Sequence, residues 1–361
     1  MKKICIATFG DPNNPKVWSG TPSKIMNYFG QLNDIETDSI NLKQMSGYVY
    51  KIFYALGRFL YRRGTLRDPL LYVIESNRFA KETYRNSADA YLFVAEHTIN
   101  NRKNPKAKYY VYLDSLLRPH FEFDERPRKP GADWFLKHYE KNDKKCFLQY
   151  DGIMTQNEWS RDFLITQYGV PEDRIYNIGF GINANYYYGE KDYSCKQLMI
   201  VLRRGTEYIK GLYLLIDAFR ILHEKDPEIK LAVFGTTAET FDGITYYENC
   251  PREEMLAMYQ KSALYVMPNI LEPNGITYLE ALASKTPIVG LNRFAVPEFS
   301  GHGKYGFIAE EATAESLSDT ILNALSDPER LKQMGENGQI FVRGRYNWDI
   351  VLEKMKKIMN L

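Results

Sequence analysis

Short runs of apolar and β-branched residues alternate with longer segments of helical periodicity along nearly the whole chain. The spacing predicts strands at 3–9, 36–40, 70–74, 90–95, 109–113, 151–155 and 175–178, then at 197–202, 229–234, 244–247, 264–267, 287–290 and 306–308. Helical patterns fill the intervals at 22–33, 48–63, 76–87, 132–141 and 158–168, and again at 211–225, 252–261, 275–284, 313–326 and 328–338. Parallel strands need a crossover between them, and a helix is the usual one. The expected fold class is therefore α/β, built as two doubly wound, Rossmann-like domains facing across a cleft, with the cleft as the default ligand site.

Length sets the number of domains. A chain of 361 residues is long for one hydrophobic core, because domains run to roughly 100–200 residues. The turn-rich stretch Gly179-Phe180-Gly181-Ile182-Asn183-Ala184-Asn185 interrupts the rhythm and reads as a linker. The expected division is 1–185 and 186–340, followed by a C-terminal segment, 341–361, whose destination periodicity does not reveal.

Charge separates the halves. Residues 1–185 hold 27 Lys and Arg against 21 Asp and Glu, whereas 186–361 hold 20 against 24. A basic half beside an acidic one suggests that the first meets an anionic partner, such as a membrane surface or a phosphorylated lipid. The excess is too small for a duplex-binding protein, and no nucleic-acid motif is present. With 44% hydrophobic and 25% charged residues, the composition excludes a disordered chain. No apolar run approaches the roughly 20 residues of a membrane span, and Met1-Lys2-Lys3 leads directly into strand-like sequence without a signal-peptide pattern. The expected location is cytoplasmic. Cys5, Cys146, Cys195 and Cys250 form no CxxC pair, so neither a zinc site nor a disulfide framework is expected. The 28 tyrosines fit sugar stacking and low-GC codon bias equally well.

Two strand–loop–helix junctions carry the chemistry. In the first, Pro268-Asn269-Ile270-Leu271-Glu272-Pro273-Asn274-Gly275 precedes a helix opening near Gly275. Free backbone N–H groups at Gly275, Ile276 and Thr277 would make an anion site. Glu272 before it and Glu280 within the helix suit hydrogen bonds from sugar hydroxyls; read blandly, they are a helix-capping acid and a surface acid. In the second, Arg203-Arg204-Gly205 and Lys210-Gly211 lead into a helix. Cations gain nothing at a helix N-terminus unless an anion lies between them. In the first loop, Ser19-Gly20 brings backbone toward the cleft, before a helix capped by Thr21 with Pro22 at its first position. Motifs of the types GxGxxG, GxxxxGK[ST], HExxH and GxSxG are lacking, which argues against nicotinamide-dinucleotide, NTPase, metalloprotease and serine-hydrolase readings.

Taken together, these pieces resemble the family 4 retaining glycosyltransferases (glycosyl transferases group 1) of the GT-B fold. Glu272 and Glu280 match the family's E-x7-E motif, and Lys210-Gly211 with Leu215, Ala218 and Phe219 matches its KG-x-x-x-L-I-x-A-F helix start. Trp18-Ser19-Gly20-Thr21-Pro22, Gln156-Asn157-Glu158-Trp159, Tyr168-Gly169-Val170-Pro171 and Gly181-Ile182-Asn183 fall in the family's order. The chain departs from it at Asn274, Lys285 and Asn183, which stand for the usual phenylalanine, glycine and aspartate, and in having only Gly20 of the first-loop glycine pair.

The resemblance implies transfer of a hexose from a UDP- or GDP-sugar, with retention, to a glycan, a lipid-linked or another hydroxyl acceptor. Neither a metal nor another cofactor is implied. Arg204, preferred over Arg203, and Lys210 would neutralise the departing diphosphate with the amides of Gly275, Ile276 and Thr277. Glu272 would hold sugar hydroxyls and Glu280 the nucleotide ribose, with the base near Gly235 and Tyr246-Tyr247. Asp114 or His97 would stand nearest the reacting sugar. The C-terminal segment would cross back to the first domain.

Two other classes compete. One is a non-catalytic sugar-binding or partner-binding module, for which Asn274 and Lys285 argue; the other is an epimerase or a phosphorylase on the same fold. Residues 48–63 read as an amphipathic helix with Val49, Ile52, Phe53, Leu56, Phe59 and Leu60 on one side and Lys51, Arg58 and Arg62 largely off it. Such a helix either packs on the core or leans on the inner face of an anionic membrane.

Overall fold

The computed structural model describes residues 1–61, 71–95, 99–116, 118, 123–124, 126–183 and 186–361, without the side chains of Ser46, Arg58, Leu60 and Tyr61. His97 and Arg62, both singled out above, lie outside the described residues, as does the side chain of Arg58. The chain forms two compact units, one of residues 1–178 with 352–361 and the other of residues 179–351.

In the first unit, β1 (Lys2–Thr8), β2 (Ile35–Asn41), β3 (Ala90–Val94), β4 (Lys108–Leu113), β5 (Gly152–Thr155) and β6 (Ile175–Asn177) form one sheet ordered β2-β1-β3-β4-β5-β6. Every pairing is parallel, and β1 is held on both edges, with Ile4 opposite Thr37 of β2 and Ala90 of β3. Parallel strands covered on both faces read as continuous apolar runs rather than alternating ones. Accordingly, all five residues of β3 are buried, and so are the last five of β1 and of β4.

The second unit repeats the plan. Its strands β7 (Gln197–Val201), β8 (Lys230–Phe234), β9 (Ile244–Tyr247), β10 (Leu264–Val266), β11 (Ile288–Leu291) and β12 (Gly306–Ala309) are ordered β12-β11-β10-β7-β8-β9. From β7 the chain builds outward through β8 and β9, then returns to the other side of β7 to lay down β10. Leu198 thus faces Leu231 on one side and Leu264 on the other. Between β7 and β10 the winding reverses, and open α/β sheets bind ligands at the carboxyl ends of the strands flanking that point.

Several expectations need correction. Residues 71–74 are not a strand but the first turn of helix Leu71–Asn86. Leu71, Tyr72, Glu75, Ser76 and Phe79 are buried there, a helical spacing that one face of a helix explains and the local β-propensity conceals. The amphipathic helix starts earlier than expected, at Leu42, and runs to Tyr61 with a break at Gly47, whose φ of 56° and ψ of −140° suit glycine alone. Helix Thr21–Gly30 takes its N-cap from Gly20, in the left-handed region, and Thr21 is its first residue. The division between units falls at 178/179, seven residues before the expected boundary. At the C-terminus, Pro328–Arg345 forms a helix of the second unit, and Trp348–Ile358 forms the helix within which the first unit resumes at Leu352. On this division the first unit holds 30 Lys and Arg against 22 Asp and Glu, and the second 17 against 23. Many tyrosines serve the cores, since Tyr91, Tyr109, Tyr112, Tyr139, Tyr150, Tyr259, Tyr265, Tyr278 and Tyr346 are fully buried.

Candidate functional site

The loops after β7 and β10 meet at the reversal point of the second unit. The Ile209 carbonyl accepts from the amides of both Ile270 (2.8 Å) and Leu271 (3.0 Å), tying the two loops together. Lys210 follows at once and is only 8% exposed, its ammonium 3.3 Å from the Val201 carbonyl oxygen. Burial pushes its pKa below the usual lysine range and the nearby Arg203 adds to that, while the carboxylates of Glu272 and Glu280 oppose it. The fold therefore gathers Lys210, Glu272 and Glu280 into one electrostatic neighbourhood.

The loop after β10 is braced from below. Asn269 is fully buried, and its side-chain amide donates to the Glu272 carbonyl (2.6 Å) while its oxygen accepts from the Tyr278 hydroxyl (3.0 Å). Tyr278 also donates to the Met267 carbonyl. The Tyr265 hydroxyl donates to Thr277 Oγ1 at 2.6 Å, fixing the first turn of helix Ile276–Ala283. Gly275, at φ 64°, is its N-cap. Its own amide does not stand free as expected but donates to Glu272 Oε1 at 3.4 Å. The amides of Ile276 and Thr277, at the first two helical positions, have no acceptor within their own helix and suit an anion. Glu280 is largely buried. Burial pushes its pKa up against the pull of Arg252, 3.9 Å away, and of Lys210.

The loop after β8 closes the second unit's site. Gly235 has φ +87°, and a Cβ there would lie 2.1 Å from the Leu202 carbonyl oxygen. Its amide donates to the Tyr247 carbonyl (2.9 Å), so this glycine serves by close backbone approach. Glu207 accepts from the Thr236 hydroxyl (2.6 Å) and the Gly205 amide (3.1 Å), linking this loop to the one after β7. Phe234 and Tyr247 stack at 4.5 Å.

Arg204 is placed differently from expectation. It is 76% exposed on its side chain and paired with Glu248, whereas Arg203 is the arginine whose charge reaches Lys210. Arg252 is a further cation that sequence reasoning missed, at the start of helix Arg252–Lys261, bonded to the Asn183 carbonyl (2.8 Å). Its distance of 28 residues from Glu280 left no local signal. Asn269 appeared in the sequence only as one residue of the loop before Gly275, with no role attached.

Gly20 and Asp114 belong to the first unit. Trp18, Ser19 and Gly20 have consecutive positive φ values of 46°, 56° and 83°, an uncommon run outside functional loops. Asp114 follows β4, where its backbone carbonyl accepts from the Asn157 side chain (3.1 Å) and the Ser160 hydroxyl (3.4 Å). Among the described residues, no three His, Cys, Asp or Glu side chains form a group able to hold a metal ion.

A doubly wound sheet with a buried lysine, a carboxylate and a helix N-terminus at its reversal point defines a Rossmann-like domain with its candidate site at the place where such sheets bind their ligands. Comparison with known families adds to this: residues 191–341, in the second unit, match the model of the glycosyl transferases group 1. The chain is 22% identical over 220 residues to MMP alpha-(1->4)-mannosyltransferase of Mycolicibacterium hassiacum, a match covering 58% of this chain and 53% of that protein. It is 26% identical over 121 residues to GDP-mannose-dependent alpha-(1-6)-phosphatidylinositol monomannoside mannosyltransferase of Mycobacterium tuberculosis, covering 32% of this chain and 31% of the relative. The matches thus span about half or less of these curated relatives. The fold is similar over the whole chain to sucrose-phosphate synthase of Thermosynechococcus elongatus, with TM-score 0.68, 14% identity and coverage of 100% of this chain and 98% of the other. With two parallel six-stranded sheets flanked by helices, it is the GT-B fold.

Proposed function

We propose that this chain transfers a hexose from a nucleotide diphosphate sugar to a hydroxyl acceptor on a glycan or lipid-linked saccharide, with retention and without a metal. The observation that carries this reading is Lys210, Glu272 and the open amides of Ile276 and Thr277 gathered at one reversal point. When the sugar–phosphate bond breaks, negative charge builds on the leaving diphosphate. A buried ammonium and fixed N–H dipoles stabilise that charge without reorganising, which is the most productive form of electrostatic catalysis. Glu272 accepts hydrogen bonds from sugar hydroxyls and orients the anomeric carbon. Glu280, eight residues on, receives the ribose diol. The mannosyltransferase relatives support sugar transfer, and the name of one includes GDP-mannose.

The test is a panel of UDP- and GDP-sugars incubated with the protein, with and without EDTA, following release of free nucleoside diphosphate. Slow hydrolysis of one donor that EDTA leaves unchanged is the expected result. Donor binding without turnover would assign the chain to sugar-binding modules, and activity lost to EDTA and restored by manganese would overturn the metal-free reading.

Glu280→Ala is expected to weaken donor binding by roughly 1.5–3 kcal/mol, the range for hydrogen bonds to a charged group. Because burial raises its pKa, Glu280 takes up a proton at a higher pH than an exposed glutamate. Donor affinity should accordingly decline as pH falls from neutral into the mildly acidic range, and the decline should vanish in Glu280→Gln. Calorimetry showing wild-type affinity in Glu280→Ala would remove the ribose assignment.

A further inference from the structure

Helix Leu42–Tyr61 divides its apolar residues between two faces. Tyr50 is buried, and Val49, Phe53 and Tyr54 pack against the core of the first unit. Tyr48, Ile52, Leu56 and Phe59 turn outward and are 82%, 65%, 42% and 73% exposed. Their spacing of four, four and three residues places them in one stripe along the helix. Isolated apolar residues on a surface need no explanation, but a contiguous row of four large ones marks an interaction surface.

The surroundings of the stripe decide its occupant. The helix contains no Asp or Glu. Lys51 places its ammonium 5.1 Å from the centre of the Tyr48 ring, and Lys129 places its own 5.4 Å from the centre of the Phe59 ring while donating to the Phe59 carbonyl. Asp133, four residues beyond Lys129, is paired with Arg128 at 2.6 Å. The unit as a whole carries eight more basic than acidic residues. Lysines are depleted from the cores of protein–protein interfaces. On an interfacial helix, by contrast, they lie along the apolar stems and lift their charge to the headgroups. We infer that the Tyr48–Ile52–Leu56–Phe59 stripe seats the first unit on an anionic lipid bilayer, with Lys51 and Lys129 at headgroup level.

The inference does not rest on sugar transfer, and its test contains no sugar donor. The full chain is sedimented with vesicles of phosphatidylcholine alone and of phosphatidylcholine mixed with phosphatidylglycerol. Binding is expected only to the mixed vesicles and should weaken as salt rises. Replacing Lys51 or Lys129 by serine should lower it about fivefold each. Ile52→Glu with Phe59→Glu should abolish it, and Ile52→Ser with Phe59→Ser should reduce it at least tenfold if the charged pair fails to fold. Lack of sedimentation with anionic vesicles at low salt overturns the proposal, as does binding that persists in both double variants. Light scattering that shows a wild-type dimer, converted to monomer by either double variant, overturns it in favour of a second copy of this chain.

Discussion

Lys210→Ala is expected to lower donor turnover by about 10²–10³-fold, the range seen when one preorganised donor to a developing anion is removed. The size follows from where the ammonium sits. At 8% exposure it acts through low-dielectric surroundings, where a charge interaction is several times stronger than in water. The charge it faces grows as the diphosphate leaves, so kcat should fall by far more than donor affinity. A loss confined to KM, with kcat intact, would show that Lys210 only holds the donor. The pKa direction adds a second reading. Burial holds Lys210 below the ordinary lysine range, and the protonated form is the one that helps. Activity should therefore decline with rising pH earlier than an exposed lysine would dictate, and Lys210→Arg, which stays charged, should lose that alkaline limb even if its larger head slows the reaction.

How much of this was legible in the sequence differs between levels. The parallel α/β rhythm was plain, because strands such as Ile4–Ala7 and Tyr109–Leu113 are buried on both faces and must be apolar throughout. The same density of apolar residues misled at 71–74, where a buried helical turn and a buried strand look alike over so short a run. Lys210, Glu272 and Glu280 could be singled out because each sits at a strand–loop–helix junction with a motif around it. Arg203 and Arg204 are adjacent in one loop, and only the tertiary structure shows that Arg204 pairs with Glu248 while the charge of Arg203 is felt at Lys210. Arg252 and the Asn269–Tyr278 brace depend on tertiary neighbours that local spacing does not encode. The outward stripe of helix Leu42–Tyr61 was half visible: periodicity showed an apolar face, while packing determined that Val49 and Phe53 belong to the core and Ile52 and Phe59 do not.

Gly211→Ala is expected to cost roughly 2–5 kcal/mol of stability in the second unit and, with it, most donor binding. Two costs combine. Gly211 caps helix Leu212–Lys225 at φ +76°, and a residue with a Cβ in the left-handed region pays about 1–2 kcal/mol. That Cβ would also lie 1.9 Å from the Pro268 carbonyl oxygen and 2.7 Å from its carbon, a backbone obstruction that no rotamer relieves. Overpacking of this kind adds about 1–3 kcal/mol. Gly205, six residues earlier, separates the two costs. It has φ +87° with nothing within 4 Å of its would-be Cβ, so Gly205→Ala should show the backbone strain alone, about 1–2 kcal/mol. Chemical denaturation of both variants measures the difference. The obstruction at Gly211 presses on Pro268, the residue before Asn269, and so displaces the loop that carries Glu272 away from Lys210. A Gly211→Ala protein as stable as Gly205→Ala, and still binding donor, would mean that the loops after β7 and β10 are not held together as closely as the Ile209 hydrogen bonds require.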